Sequence, residues 1–283
     1  MMLADEVAKV KKGKYKDFTM NDDERYELYL AAWLHDCGKV ATPPHVVDKG
    51  TKLETIFDRI ELIKTRMELL KRDAEIAFLR RQLNGRTPKD FDQEYLDTIK
   101  NINSDMEFLE QCNIGGEFMK PDDQERVKDI GSKKIEFNGL KQNFLSDNEI
   151  QNLNIAKGTL LPEEREIIND HIVITIEMLE QLPYPKNLKN IPEFAGGHHE
   201  KMDGTGYPKG LSEHQMSTQA KIMAIADIYE ALTAADRPYK EGKKLSQAMR
   251  IMGFMKNDHH IDEELFEIFV KSGVYKKYAK DYV

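Results

Sequence analysis

Residues 198–208 read His198-His199-Glu200-Lys201-Met202-Asp203-Gly204-Thr205-Gly206-Tyr207-Pro208. Two adjacent imidazoles and two carboxylates stand beside a turn made of glycine, tyrosine and proline. Glycine and proline are poor residues for a helix interior, whereas imidazoles and carboxylates bind divalent metals. A His-His pair alone would be interpreted as a solvated helix end. With its neighbours, the pair predicts a metal-lined loop at the rim of an active site.

Further residues of the types that bind metals lie far from this loop in sequence. His35-Asp36 comes upstream, His171 follows a helix start rich in Pro and Glu, and Asp227 lies in an apolar run rich in alanine. By itself, His171 would be interpreted as a histidine of the core. A buried carboxylate is costly unless it is paired or bound to a metal, so the position of Asp227 favours ligation. Together with the 198–208 loop, these residues form a set of metal-ligand types, and their burial would be tolerable if they converged on one cluster.

Four motifs, in this order, resemble the HD-GYP family, the bacterial branch of the HD phosphohydrolase superfamily that linearises cyclic di-GMP. The motifs are His35-Asp36-Cys37-Gly38-Lys39, then Lys157-Gly158-Thr159-Leu160 with Glu163, Glu164 and His171, then residues 198–208 with Lys209-Gly210-Leu211, and finally Ala226-Asp227 running to Asp236-Arg237-Pro238-Tyr239-Lys240. The resemblance covers about the first 45 residues and everything from about residue 150. It implies an all-α fold, the HD-domain helical bundle.

The resemblance also implies a metal-dependent phosphodiesterase that hydrolyses cyclic di-GMP to linear pGpG, with further cleavage to GMP allowed. His35, Asp36 and Asp227 would hold a first metal, and His171, His198 and His199 a second, with Asp36 bridging. A hydroxide bridging two such metals would be the nucleophile. Imidazole and carboxylate ligands suit two divalent metals, Fe or Mn by preference, with Zn, Mg or Ni also allowed.

The substrate contacts are expected from cations beside the ligand-bearing segments. Lys39 would act with Asp36 in catalysis and contact a phosphate, and Arg237 and Lys240 would contact the second phosphate or a guanine edge. Gly204 and Tyr207 are assigned to the substrate-binding loop, where glycine permits tight backbone geometry.

Two other functions remain open at this point. The chain could be a catalytically incomplete nucleotide-binding or protein-interaction module, or a phosphodiesterase for another cyclic dinucleotide. A diguanylate cyclase of the GGDEF type is a candidate partner implied by the resemblance.

Composition restricts the class of partner and the compartment. The formal net charge of −8 disfavours binding of a nucleic acid polymer, which needs clustered Lys and Arg. With only Cys37 and Cys112, no disulfide framework is implied and thiolate-rich structural zinc is excluded. No apolar run approaches the roughly 20 residues of a membrane span, and no signal-peptide pattern is present. We expect a cytoplasmic segment without membrane contact.

The apolar pattern between residues 46 and 145 predicts an insertion in the HD-GYP core. Steps of three and four residues predict a helix over 52–83 and a second over 90–112, forming an antiparallel hairpin. The seam between them suits either packing within the chain or a homodimer. Residues 114–142 are expected to be loop or short irregular elements, and Trp33 is assigned to the core. The domains are thus expected at 1–45, 46–145 and 146–283.

In HD-GYP proteins an earlier histidine completes the first metal site, and here no histidine precedes His35. We expect this chain to be the C-terminal part of a longer protein with an N-terminal sensor region, which could be membrane-bound. With one ligand fewer at the first metal, we also expect unequal occupancy of the two metals and weak or absent activity.

Overall fold

The computed structural model describes residues 1–84, 90–116, 118–137, 139–234 and 242–282. In chain order the helices are α1 Met2–Val7, α2 Asp22–Leu34, α3 Pro44–Val47, α4 Ile60–Leu83, α5 Asp90–Ile114, α6 Pro121–Ser132, α7 Asp147–Leu153, α8 Pro162–Asn169, α9 His171–Glu180, α10 Ile191–Gly196, α11 Thr218–Thr233, α12 Leu245–Asn257, α13 Glu263–Ser272 and α14 Val274–Tyr282. Strands β1 Lys134–Phe137 and β2 Leu140–Asn143 form a two-stranded antiparallel sheet in which Lys134 pairs with Asn143. The prediction of an all-α fold is therefore confirmed.

The chain divides into two compact units. Unit 1 comprises Met1–Pro43 and Glu166–Val283, and unit 2 comprises Pro44–Arg165. Each unit buries its own apolar cluster. The large cluster of unit 1 draws on α1, α2, α9, α10, α11 and α13, and that of unit 2 on α4, α5, α6 and α7. The expected boundaries at 45 and 145 remain a prediction, since compactness alone does not define an insertion.

Helix α2 places the first two predicted ligands at its C-terminal end. Asn21 and Glu24 form a capping box, with the Glu24 N–H donating to Asn21 Oδ1 at 3.0 Å and the Asn21 N–H to Glu24 Oε2 at 2.8 Å. Such reciprocal bonds satisfy two N–H groups that the first turn leaves unpaired. Leu28 and Ala31 are buried in the core of unit 1, so this face fixes the direction in which the helix delivers His35.

Trp33 was assigned to the core, and this assignment is wrong. Its side chain is 72% exposed, and its ring packs edge-on against Tyr29 at 6.2 Å. Leu28 and Ala31 are buried instead. The apolar character of Trp33 gave no indication of its direction, because helix α2 is only weakly amphipathic in sequence.

In unit 2, α4 and α5 form the predicted antiparallel hairpin. Contacts run in opposite order along the two helices: Lys64 pairs with Glu110 at 2.9 Å, Phe78 stacks on Tyr95 at 4.8 Å, and Arg81 pairs with Glu94 at 3.0 Å. Helix α4 starts at Ile60, eight residues later than expected from the pattern. Residues 114–142 were expected to be loop or short irregular elements, whereas they contain the regular elements α6, β1 and most of β2. Val127 and Ile130 of α6 are buried in the same apolar cluster as residues of α4 and α5. This contact joins residues far apart in sequence, so the polar composition of residues 114–142 did not indicate it.

No helix among the described residues is both long and apolar enough to cross a membrane.

Candidate metal centre

Close glycine contacts bring the predicted ligands together in unit 1. Gly38 lies against α9 so closely that a Cβ atom there would be 2.0 Å from the carbonyl oxygen of His171, and the Gly38 N–H donates to Thr175 Oγ1 at 2.9 Å. Gly197, just after α10, would place a Cβ 2.7 Å from that of Ala220 in α11. Glycine is needed at both points, since only its missing side chain permits the approach.

The structure gathers the six predicted residues into two groups that share Asp36. One group contains Asp36, His171, His198 and His199, and the other contains His35, Asp36 and Asp227. Within each group the candidate ligand atoms all lie within 4.8 Å of one another. His35 and Asp36 follow the end of α2, and His171 is the first residue of α9. The His198-His199 pair comes just after α10, and Asp227 lies in the middle of α11. A shared carboxylate is the arrangement that two neighbouring cations require.

The two oxygens of Asp36 face different partners. Oδ1 lies 3.2 Å from His171 Nε2 and 3.9 Å from His198 Nε2. Oδ2 lies 3.3 Å from His35 Nε2 and accepts a hydrogen bond from Lys39 Nζ at 2.5 Å. His35 Nε2 is also 3.5 Å from Asp227 Oδ1. Each oxygen of Asp36 therefore belongs to a different ligand group.

Backbone contacts indicate the tautomer of three histidines. The Nδ1 atom of His35 lies 2.8 Å from the carbonyl oxygen of Ala32, that of His198 lies 2.6 Å from Ala195, and that of His171 contacts the carbonyl of Ile168. A carbonyl oxygen only accepts, so Nδ1 carries the proton and Nε2 of a neutral ring presents a lone pair. This bond to Nδ1 is also the usual support of a metal-binding histidine.

Several of these lone pairs have nothing to bind among the described residues. Asp36 Oδ1 and the Nε2 atoms of His171, His198 and His199 are buried and have no hydrogen-bond partner there. Four acceptor atoms pointing at one space are unfavourable unless a cation fills it. Nitrogen and carboxylate donors in this number suit a divalent transition metal, so the residues fit the metal that the motifs imply.

Burial holds two of the rings neutral, as ligation requires. Desolvation lowers the pKa of His198 to about 4 and, with the nearby His198 ring, that of His199 to about 3. For Asp36, burial acts to raise the pKa, but His171, Lys39 and His35 outweigh it and hold the carboxyl well below its usual range. Burial likewise opposes ionisation of Asp227, yet His35 and the other imidazoles keep its pKa low. Both aspartates are thus anionic at neutral pH.

Three of the five residues predicted to contact substrate lie in the part of the chain that the structure describes. Lys39 lies in the short 3₁₀ helix Cys37–Ala41, directly beside Asp36. Gly204 has φ +79°, and Tyr207 stacks on the ring of His199. Arg237 and Lys240 lie outside the described residues. The roles of all five toward substrate remain predictions.

Glu200 is a site residue that sequence reasoning named but gave no role. It is 1% exposed, and its two carboxylate oxygens accept the backbone N–H groups of Lys209 at 2.7 Å and Leu211 at 2.8 Å. A carboxylate directly after two candidate ligands, and before a glycine-rich turn, was the available signal. These bonds hold the far end of the loop 201–211 against Glu200, the residue that follows His199.

Comparison with known proteins finds similarity to HD-domain phosphodiesterases. A family model described as HD domain matches residues 147–265. A cyclic di-GMP phosphodiesterase of Pseudomonas aeruginosa is 46% identical over 79 residues, covering 28% of this chain and 18% of that protein. The 3'3'-cGAMP-specific phosphodiesterase 1 of Vibrio cholerae is 40% identical over 80 residues, again 28% and 18%. A cyclic di-GMP phosphodiesterase of Thermotoga maritima is 28% identical over 244 residues, covering 80% of this chain and 64% of that protein. The chain spans less than two thirds of each of these curated relatives.

Proposed function

We propose that this chain is a metal-dependent phosphodiesterase of the HD-GYP type that hydrolyses cyclic di-GMP to linear pGpG, with further cleavage to GMP allowed. The observation that carries the proposal is the set of unpaired lone pairs around Asp36. Asp36 Oδ1 and three imidazole Nε2 atoms converge without a partner among the described residues, in the domain that the family model matches or directly beside it in space. Such a site favours cation-assisted phosphoryl chemistry over simple nucleotide binding.

The ligand set supports two divalent metals. His171, His198, His199 and Asp36 would hold one, and His35, Asp36 and Asp227 the other. We propose Fe or Mn, because imidazole mixed with carboxylate suits these ions, with Zn, Mg or Ni as alternatives. When bound, such ions lower the pKa of water and neutralise charge on phosphate oxygens.

Residues of the chain itself supply a cation for the phosphodiester and fix the direction of the candidate metal ligands. Lys39 Nζ, anchored to Asp36 Oδ2 at 2.5 Å, presents a cation at the edge of the site where a non-bridging phosphate oxygen can be bound. Asp36 stays anionic and is available to both ligand groups. The Nδ1–H bonds of His35, His171 and His198 fix the direction of their Nε2 lone pairs, so the site is organised before substrate arrives.

A second candidate substrate is a cyclic GMP-AMP dinucleotide. The similarity to a relative named as 3'3'-cGAMP-specific is 40% over 80 residues, close to that of the cyclic di-GMP enzyme of Pseudomonas aeruginosa. The two substrates differ in one purine, so contacts to the base edge would distinguish them.

Metal-stripped protein reloaded with Mn(II), or with Fe(II) under anaerobic conditions, tests the proposal. Cyclic di-GMP and 3'3'-cGAMP are supplied separately and the products separated by chromatography. We expect metal-dependent formation of pGpG. Faster turnover of 3'3'-cGAMP would favour the second candidate. Nucleotide binding without turnover under every metal would refute the enzymatic proposal and support an interaction module.

We further propose that the helical hairpin pairs two copies of this chain. Four apolar side chains of α4 recur at intervals of seven residues and stay exposed, namely Leu62 47%, Leu69 43%, Ile76 45% and Leu83 86%. They lie apart from the buried Ile63 and Met67, which pack within unit 2. A heptad stripe suits an identical stripe on a second copy. A GGDEF-type cyclase as partner remains a prediction from the family resemblance.

A further inference from the structure

The ring of His199 is supported differently from the other three imidazoles of the site. His35, His171 and His198 each direct Nδ1 at the backbone carbonyl three residues earlier. The structure shows no hydrogen bond from the His199 ring to any described residue, and its Nε2 is buried. Among the described residues, the contacts that hold the ring plane of His199 are those with neighbouring aromatic rings.

The packing partner is Tyr207 of the same loop. The two rings stack with centroids 4.8 Å apart and planes inclined by 17°. On its other sides His199 meets the ring of His198 at 4.1 Å and that of His171 edge-on at 5.1 Å. An electron-rich phenol stacks favourably on an imidazole that has donated its lone pair to a cation, since that imidazole becomes electron-poor.

We propose that Tyr207 is a positioning residue that sets the ring plane of His199, in place of the hydrogen bond that supports the other three histidines. Its effect falls on the four-residue group of Asp36, His171, His198 and His199. The group of His35, Asp36 and Asp227 does not contain His199 and keeps its own supports. Tyr207 therefore controls the affinity of one ligand group and leaves that of the other unchanged.

Glu200 keeps Tyr207 over the imidazole. Its carboxylate accepts the N–H groups of Lys209 and Leu211, just beyond Tyr207, and the Tyr207 N–H donates to the carbonyl of His199 at 3.3 Å. A Cβ on Gly206 would come within 2.5 Å of Glu200 Cα, so the loop folds directly onto the ligand pair. The hydrogen bonds within the loop from 200 to 211 thus hold the Tyr207 ring in its stacked position on His199.

The inference rests on the metal site of the proposed function, and the test separates the two. Metal-free wild-type protein is titrated with Co(II), and binding is followed by the visible absorption of the bound ion. We expect two binding steps. In Tyr207→Leu the step assigned to the four-residue group should weaken about tenfold, as for loss of a support behind a ligand, with a changed Co(II) spectrum. The other step should be unchanged.

Three further variants sharpen the result. Tyr207→Phe retains the ring and should bind Co(II) as the wild type does. Glu200→Gln keeps one acceptor oxygen and should weaken the same step to a lesser degree. Tyr29→Leu removes a ring that packs on Trp33, and should alter neither step. Circular dichroism and thermal unfolding establish that each variant is folded.

The outcomes are distinct. If wild-type protein binds no Co(II), the proposed function fails. If it binds but Tyr207→Leu changes neither step, or weakens both equally, the positioning role of Tyr207 is wrong while the metal site stands. Equal effects of Tyr207→Phe and Tyr207→Leu would also overturn the proposal, because they would assign the effect to the hydroxyl.

Discussion

Asp36 is the one side chain that belongs to both ligand groups, and Lys39 is its direct neighbour. We expect Asp36→Ala to abolish turnover and to lower the content of both metals. Lys39→Ala should retain both metals and reduce the rate about a hundredfold, because it removes a cation that faces the phosphate. Elemental analysis combined with an assay of cyclic di-GMP turnover measures both effects. Equal metal loss in the two variants would show that Lys39 supports the metals and does not contact substrate.

The depressed pKa values of His198 and His199 also predict how the metal-free protein responds to pH. Below pH 6.5 the unfolded chain protonates both imidazoles, whereas the folded chain protonates them only near pH 4 and pH 3. The unfolded state therefore binds more protons, and the free energy of unfolding should fall as the pH drops from 6.5 to 4, by about 3 kcal/mol for His198 alone.

His35 does not cancel this effect. Burial acts to lower its pKa, but Asp227 and Asp36 outweigh burial and raise it, so its contribution is present below pH 6.5 and is lost above that pH. Urea unfolding in the presence of a chelator measures the dependence. In His198→Gln, the free energy of unfolding should fall less between pH 6.5 and pH 4 than in the wild type. His214→Gln, at an exposed position, should leave that pH dependence unchanged. If His198→Gln kept the wild-type pH dependence, burial of His198 would not be the cause of the loss of stability in acid.

At the scale of elements, α4 presents two apolar stripes, one buried and one exposed. Ile63 and Met67 are buried within unit 2, whereas Leu69 and Ile76 stay exposed. We expect Leu69→Glu together with Ile76→Glu to convert a dimer to a monomer, because two charges would have to be buried in the paired stripe. Sedimentation at micromolar concentration reports the change. Ile56→Glu is the matched control, since Ile56 is 97% exposed and lies outside the stripe. A wild type that is monomeric at every concentration would end the proposal.

At the scale of the whole molecule, all six candidate ligands lie in unit 1, together with the large apolar cluster that contains Leu28, Ile222 and Phe266. Replacing residues 44–165 with a Gly-Ser linker should therefore leave a folded unit that still binds metal. Removing only residues 52–140 should give a less stable protein. Phe144, Leu145 and Leu153 would remain but would lose the apolar contacts that α4 and α5 provide. Thermal unfolding and Co(II) binding distinguish the two deletions. Loss of the metal site in the first would mean that unit 2 is required for the fold of unit 1.

The types and positions of the candidate ligands could be predicted from the sequence, because they lie in motifs that resemble those of the HD-GYP family and because chemistry restricts where such residues are tolerated. Paired histidines beside a glycine-rich turn, and an aspartate within the apolar helix α11, are unfavourable in a fold that gives them no partner. The helical hairpin was equally predictable, since a heptad pattern is a local signal. These features depend on neighbouring residues and not on distant contacts.

Other features depended on contacts between residues far apart in sequence, which no local pattern contains. The exposure of Trp33 and the helical structure of residues 121–132 follow from what packs against them, and the sequence-based expectation was wrong for both. The unpaired lone pairs around Asp36 become visible only when α2, α9 and α10 are brought together. The stacking of Tyr207 on His199 likewise requires the fold of the loop that Glu200 closes, because the direction of a ring is set by tertiary packing and not by its position in the chain.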